Sequence, residues 1–148
     1  MFSPPRPTWL LGGVLLILLM LTACEATLTP EQDPELVEEV LETAEAVDRF
    51  WQDLARQPEA EREYQDFAHQ WGAMETRLAN LRLRQEIRPL NEHAVEQAEI
   101  ALELWRELRE QHRDEDDFQG FEAKQSRQQF HRIFVAMARG ERARTAEE

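Results

Sequence analysis

The sequence has few of the residues from which reactive sites are built. Of its 148 residues one is cysteine, one tyrosine and five glycine, and Lys124 is the only lysine among 17 basic side chains. Beyond Cys24 there is no thiol, which excludes an intrachain disulfide, a cysteine nucleophile, a thiolate metal site and c-type haem attachment. There is no glycine-rich phosphate loop and no G-x-S-x-G motif. The acidic run Asp114-Glu115-Asp116-Asp117 is not an EF-hand loop. Phe118 stands where an acid or amide is needed, and Gln119 where glycine is needed. No segment alternates in the manner of a strand.

What is present begins with an uncharged stretch from Trp9 through Ala23, rich in Leu, Ile and Val, behind a single basic side chain, Arg6. It is the length of a signal-peptide apolar region and shorter than the ~20 residues a helix needs to cross a bilayer. The stretch ends in Leu21-Thr22-Ala23-Cys24. This resembles the lipobox of bacterial lipoproteins: an aliphatic residue, two small ones, then the modified cysteine. The resemblance covers residues 1–24 and implies cleavage before Cys24, with a diacylglyceryl group on its sulfur and a further acyl chain on the new amino group. Two or more acyl chains anchor stably. Glu25 follows the cysteine; in the enterobacterial sorting rule Asp there retains a lipoprotein in the inner membrane. The resemblance therefore implies the outer membrane, facing the periplasm.

Removal of residues 1–23 leaves one domain's worth of chain. Its charge is uneven: residues 25–66 carry 14 acidic and 3 basic side chains, and residues 70–148 carry 16 and 13. Such a surface repels nucleic acid and anionic lipid. The acidic half reads either as a solvated face or as a docking surface for a basic partner.

Four amphipathic segments follow. Residues 24–33 read as a tether. Asp33-Pro34 sets a cap and a first-turn proline for a helix running to about Gln57, with Leu36, Val37, Val40, Leu41, Ala44, Val47, Phe50, Trp51 and Leu54 on one stripe. Pro58 interrupts it. The second stripe is Tyr64, Phe67, Ala68, Trp71, Met74, Leu78 and Leu81, ending before Pro89. Asn91 is expected to cap a third helix carrying Ala94, Val95, Ala98, Ala101, Leu102, Trp105 and Leu108. The fourth carries Phe118, Phe121, Phe130, Ile133, Phe134 and Met137. The Asp114–Asp117 carboxylates suit its positive end, and Gly140 is its expected C-cap. Its middle, Lys124 through Gln129, is polar, and reads as a bundle edge or as a groove for a partner helix.

The expected fold is all-α: a single small antiparallel up-down-up-down four-helix bundle over residues 34–140, after the signal peptide and tether and before a disordered tail at 141–148. Trp51, Trp71 and Trp105 each precede a Leu or Met by three residues at unequal spacings, which reads as core packing rather than a solenoid.

Two carboxylate–imidazole pairs lie one helical turn apart, Asp66 with His69 and His93 with Glu96. They are the candidate metal ligands. Di-iron bundles need two such pairs plus further inward-facing Glu, His69 points away from Phe67 and Trp71, and no metal is expected. His93-Ala94-Val95-Glu96 is similar to the His-x-x-Glu element of imelysin-like periplasmic proteins, which are much larger. Leu28-Thr29-Pro30-Glu31-Gln32 resembles the Leu-Thr-x-x-Gln motif of small helical periplasmic chaperones, and is also a good local helix start. His112 continues the Trp105–Leu108 stripe and lies in the last turn of the third helix, where the helix dipole is expected to favour its cation. His131 has no evident partner.

The functional expectation is a lipid-anchored bacterial envelope protein, not an enzyme and without a cofactor: a helical protein-binding or scaffolding module. Its partners are the membrane, through acylated Cys24, and an envelope protein, with no nucleic acid. The alternative is a periplasm-facing metal- or small-ligand-binding, stress or chaperone-like protein using His93, Glu96, Asp66 or His69.

Overall fold

Proline at Pro34 and the carboxylate of Asp33 fix where the first described helix begins. Asp33 Oδ1 accepts from the backbone N–H groups of Glu35 (3.0 Å) and Leu36 (3.2 Å), satisfying donors that a helix start leaves open. A computed structural model of the chain describes residues 33–89 and 91–143. The lipobox Leu21–Cys24, the tether as far as residue 32, and residues 144–148 lie outside the described residues.

Among the described residues there are four α-helices and no strand: α1 (Pro34–Arg56), α2 (Tyr64–Glu86), α3 (Glu92–Glu115) and α4 (Gly120–Ala143), with a 3-10 turn at Glu59–Glu61 between α1 and α2. α1 lies most closely along α4 and α2 along α3, and the α1/α2 and α3/α4 seams close the ring. Arg84 late in α2 reaches Glu39 early in α1 (2.7 Å), and Arg109 late in α3 reaches Tyr64 at the start of α2 (3.0 Å). Neighbours are thus antiparallel, as the short links require, in a bundle about 35 Å long. Its proximal end gathers the start of α1, the α2–α3 link and the end of α4. Its distal end gathers the other two links.

The interior is aromatic. Trp51, Trp71 and Trp105 are fully buried and mutually in contact, with ring centroids 4.5 Å apart for Trp71–Trp105 and 5.5 Å for Trp51–Trp71. Phe50, Phe118 and Phe130 complete the cluster. Each such pair adds about 0.5–1.5 kcal/mol beyond the area it removes from water. Trp105 Nε1 donates to the Trp71 carbonyl (3.0 Å), tying α3 to α2 within the core. The three Trp residues therefore serve one core, as expected.

Arginines stitch the helices from outside. Glu75 accepts from both Arg106 (2.8 Å) and Arg109 (2.6 Å) across α2/α3, and these hydrogen bonds, Arg106 first, hold its carboxyl below the usual range. Arg77 reaches Glu42 across α1/α2, and Arg127 grips Asp48 across α1/α4.

Several sequence expectations are corrected. The polar middle of α4 is neither an edge nor a groove. Ala123 and Ser126 are buried there, and their small side chains let α4 lie close to α1 while Lys124 and Gln125 face water. Phe121, assigned to the stripe, is 65% exposed, and Leu41 is also exposed. Asn91 does not cap α3 with its side chain. It is buried, and its Nδ2 donates to the carbonyl and side-chain oxygens of Gln85, closing the α2–α3 link. Gly140 is not a C-cap. α4 continues through Ala143, and Glu141, expected in the tail, is buried and pairs with Arg88 at 2.9 Å. That ion pair docks the last turn onto the α2–α3 link.

A helical Gly140 whose Cβ would meet no atom within 4 Å should be improved by a side chain. Gly140→Ala is expected to raise stability by about 0.5–1 kcal/mol, read as a rise of a few degrees in Tm. A left-handed cap at this position would instead be destabilised by the same change.

Candidate functional site

The residue with the most specific surroundings is His112. It is fully buried at the distal end, between Tyr64, Phe67, Trp71 and Phe118. Trp71 Nε1–H donates to His112 Nδ1 (2.9 Å), and His112 Nε2 lies 2.7 Å from the Arg62 carbonyl. An indole N–H can only donate and a carbonyl can only accept, so the ring is the neutral tautomer carrying its proton on Nε2. A second proton on Nδ1 would face the indole N–H. Burial, the largest influence, pushes His112 below its ordinary value, although the Arg62 carbonyl, Asp116 and Asp117 favour the cation. The expected dipole-stabilised imidazolium is therefore corrected: desolvation outweighs the helix end.

The rest of the distal end is built onto this contact. The Arg62 side chain donates to the carbonyls of Gln57 (2.9 Å) and Phe118 (3.3 Å), drawing the first and third links together. Asp116 adopts a left-handed backbone (φ 50°), and its Oδ1 accepts from Tyr64 N–H (3.0 Å). This carboxylate thus caps α2 rather than α4. At the start of α4, Glu122 instead accepts from Gln119 N–H (3.2 Å). His112 has both ring nitrogens committed to the fold, so its role is architectural.

The paired metal candidates do not converge. Asp66 and His69 are exposed near the distal start of α2, while His93 and Glu96 are exposed at the proximal start of α3, with Nδ1 and Oε2 4.0 Å apart. No three His, Cys, Asp or Glu come together in a metal-holding group among the described residues. His131 is exposed, near enough to Asp48 to help hold that carboxyl low, after the larger effect of Arg127.

The surface feature with a consistent chemistry is the α1/α2 groove, an open depression of about 480 Å³. Glu35, Glu38, Glu39 and Glu42 form one wall, Arg77 and Arg84 stand opposite, and Ala73, Thr76 and Asn80, on the exposed outer row of α2, form its uncharged rim. Helical spacing puts the four glutamates on one side of α1, beside its buried stripe. Glu39 and Glu42 are held by Arg84 and Arg77. Glu35 and Glu38 are exposed and have no ion pair among the described residues. The wall therefore presents uncompensated negative charge across from an uncharged rim of small and polar side chains. The excess of acid in α1 is visible in the sequence; the arginines that neutralise half the wall are not, because they come from a different helix.

Comparison with protein-family models, with curated proteins and with solved structures finds no match.

The neutral His112 makes stability depend on pH with a definite sign. Its folded-state value is lowered, so the unfolded chain takes up a proton below about pH 6.5 while the folded chain resists it. Stability is expected to be flat above pH 6.5 and to fall as pH drops from there toward 5, before carboxylates such as Asp48 and Glu75 begin to protonate. In His112→Phe that decline should disappear. At pH 7.5 the variant should already be weakened by about 1–3 kcal/mol, because the Trp71 N–H and the Arg62 carbonyl lose their partner. Urea unfolding at pH 7.5 and 5.5 measures both effects.

Proposed function

We propose that this is a lipid-anchored bacterial envelope protein whose bundle is a non-enzymatic binding or scaffolding module, held at the outer membrane on the periplasmic side. The anchor is Cys24, in its Leu21-Thr22-Ala23-Cys24 setting. The observation that carries the binding role is the asymmetry of the α1/α2 groove. Its glutamate wall is compensated by arginine at Glu39 and Glu42 and left open at Glu35 and Glu38. A basic protein segment fits that wall: its cations would pair with Glu35 and Glu38 while its backbone approached Ala73 and Thr76. Long-range attraction from a chain of net charge −13 would speed the encounter and make it salt-sensitive.

The polar side chains of the interior support the same reading. His112, Gln85 and Asn91 are each engaged in holding links between helices. The functional surface on this account is the exterior.

Gentle detergent capture of tagged full-length protein from its own membranes tests the proposal, with captured proteins identified by mass spectrometry. A stoichiometric basic partner is expected, lost at raised salt, in Cys24→Ala, and in the double variant Glu35→Lys, Glu38→Lys. The double variant should stay folded, with Tm lowered by no more than several degrees, because both side chains are exposed and unpaired among the described residues and only Glu35 lies in the first turn of α1. A partner that survives the charge reversal would remove the groove from the account. Membrane-bound protein that captures nothing would contradict the scaffolding role.

A further inference from the structure

The outward row of α2 carries no charge. Gln65, His69, Ala73, Thr76, Asn80, Leu83 and Ile87 recur at three- and four-residue spacing, and all are exposed. In a sequence that is 32% Asp, Glu, Lys and Arg, a run of this length is unusual for a solvated face. Towards the proximal end the row turns apolar, with Leu83 54% and Ile87 74% exposed. Leu83 and Ile87 stand one turn apart on one face, so they form a neighbouring exposed aliphatic pair rather than a single scattered side chain.

Their position is specific. Arg84 approaches Asp33 at 3.9 Å, so the point where the chain enters α1 lies beside the last turns of α2. Eight residues lie between Cys24 and Asp33, and even fully extended the nine steps from one to the other span only about 30 Å. On the anchoring proposed above, Leu83 and Ile87 are therefore the exposed aliphatic pair held nearest the bilayer. The arginines around them are paired within the domain, while the open carboxylates Glu35 and Glu38 stand on α1 across the α1/α2 groove. Arg84 pairs with Glu39, Arg88 with Glu141, and Arg82 with both Glu86 and Glu99. Arginine stems beside apolar side chains can also run along the interface with their heads in water.

We infer that the proximal tip of α2, through Leu83 and Ile87, rests in the headgroup–acyl boundary of the membrane that holds the lipid anchor. Two aliphatic side chains bind a bilayer weakly from free solution. The tether removes most of that handicap by holding them at an effective concentration on the order of millimolar. Entry of the tip by ~5–10 Å is the usual depth for interfacial apolar side chains. Contact confined to this tip keeps the bundle upright, with the distal end, including His112 and Asp116, about 35 Å from the bilayer. It leaves the outer surfaces of α1 and α4 open to the periplasm. This inference rests on the lipid-anchor reading.

The test uses full-length protein purified from its own membranes and reconstituted in phosphatidylcholine–phosphatidylethanolamine vesicles. Acylation blocks the Cys24 sulfur, so Ile87→Cys supplies a single reactive thiol for an environment-sensitive fluorophore. Leu83→Cys gives a second proximal position and Glu59→Cys a distal control. The expected result is blue-shifted emission at residue 87, quenching there by nitroxide-labelled lipid, and several-fold slower quenching by aqueous iodide than at residue 59, with residue 83 between them. Vesicle-bound protein with equal iodide quenching at residues 87 and 59 would overturn the apposition and leave the anchor standing. Protein that does not float with the vesicles and carries no acyl mass at Cys24 would overturn both.

Discussion

The distal half of the bundle depends on one buried contact chain: Trp71 Nε1–H to His112 Nδ1, and His112 Nε2–H to the Arg62 carbonyl. It joins α2, α3 and the α1–α2 link at a point no water reaches. A neutral imidazole suits the place because it accepts on one side and donates on the other. Once His112 is fixed, the Arg62 backbone is fixed, and its guanidinium can draw Gln57 and Phe118 together. The backbone of Gly120 lies close by, where a Cβ would come within 3.4 Å of that guanidinium. Two links and the start of α4 are thus positioned by one side chain. The aromatic cluster supplies the larger share of apolar burial, while this polar chain helps choose among the ways that aromatic side chains could pack.

The proximal end solves the same problem differently. There, Asn91 closes the α2–α3 link onto Gln85, and Arg88 pairs with the buried Glu141. Between the two ends, arginine-to-carboxylate contacts mark each seam that they cross and oppose slippage of one helix along another. The chain's acidity is therefore divided. Acids at the seams are matched by arginine, whereas Glu35 and Glu38 are left outward. That division gives the α1/α2 groove its character, and it leaves the α2 outer row as the uncharged exception.

Much of this could be read from the sequence. The helix count and type, the Asp33 cap, the tryptophan core and the antiparallel order all follow from apolar spacing, capping chemistry and short links. The misreadings share a cause. Gly140 and the Asp114–Asp117 run were assigned by local rules, but each site is governed by a residue distant in sequence, Glu141 by Arg88 and Asp116 by Tyr64, while Asn91 turns back to Gln85 in the preceding helix instead of capping its own. His112 is the clearest case. A histidine in the last turn of a helix suggests a cation, and only the three-dimensional enclosure by Trp71, Phe118 and the Arg62 carbonyl makes it neutral. Leu83 and Ile87 lie outside the second stripe, which ends at Leu81, and their exposure agrees with that spacing.

The measurement that tests this account most directly is the protonation state of His112, read from the two ring nitrogens by long-range ¹H–¹⁵N correlation NMR on the folded protein. The account predicts a protonated Nε2 and an unprotonated Nδ1, unchanged as pH is lowered through 6.5 for as long as the protein stays folded. An imidazole that titrates near 6.5 in the folded state, or that carries its proton on Nδ1, would contradict the Trp71–His112–Arg62 chain and the distal architecture built upon it.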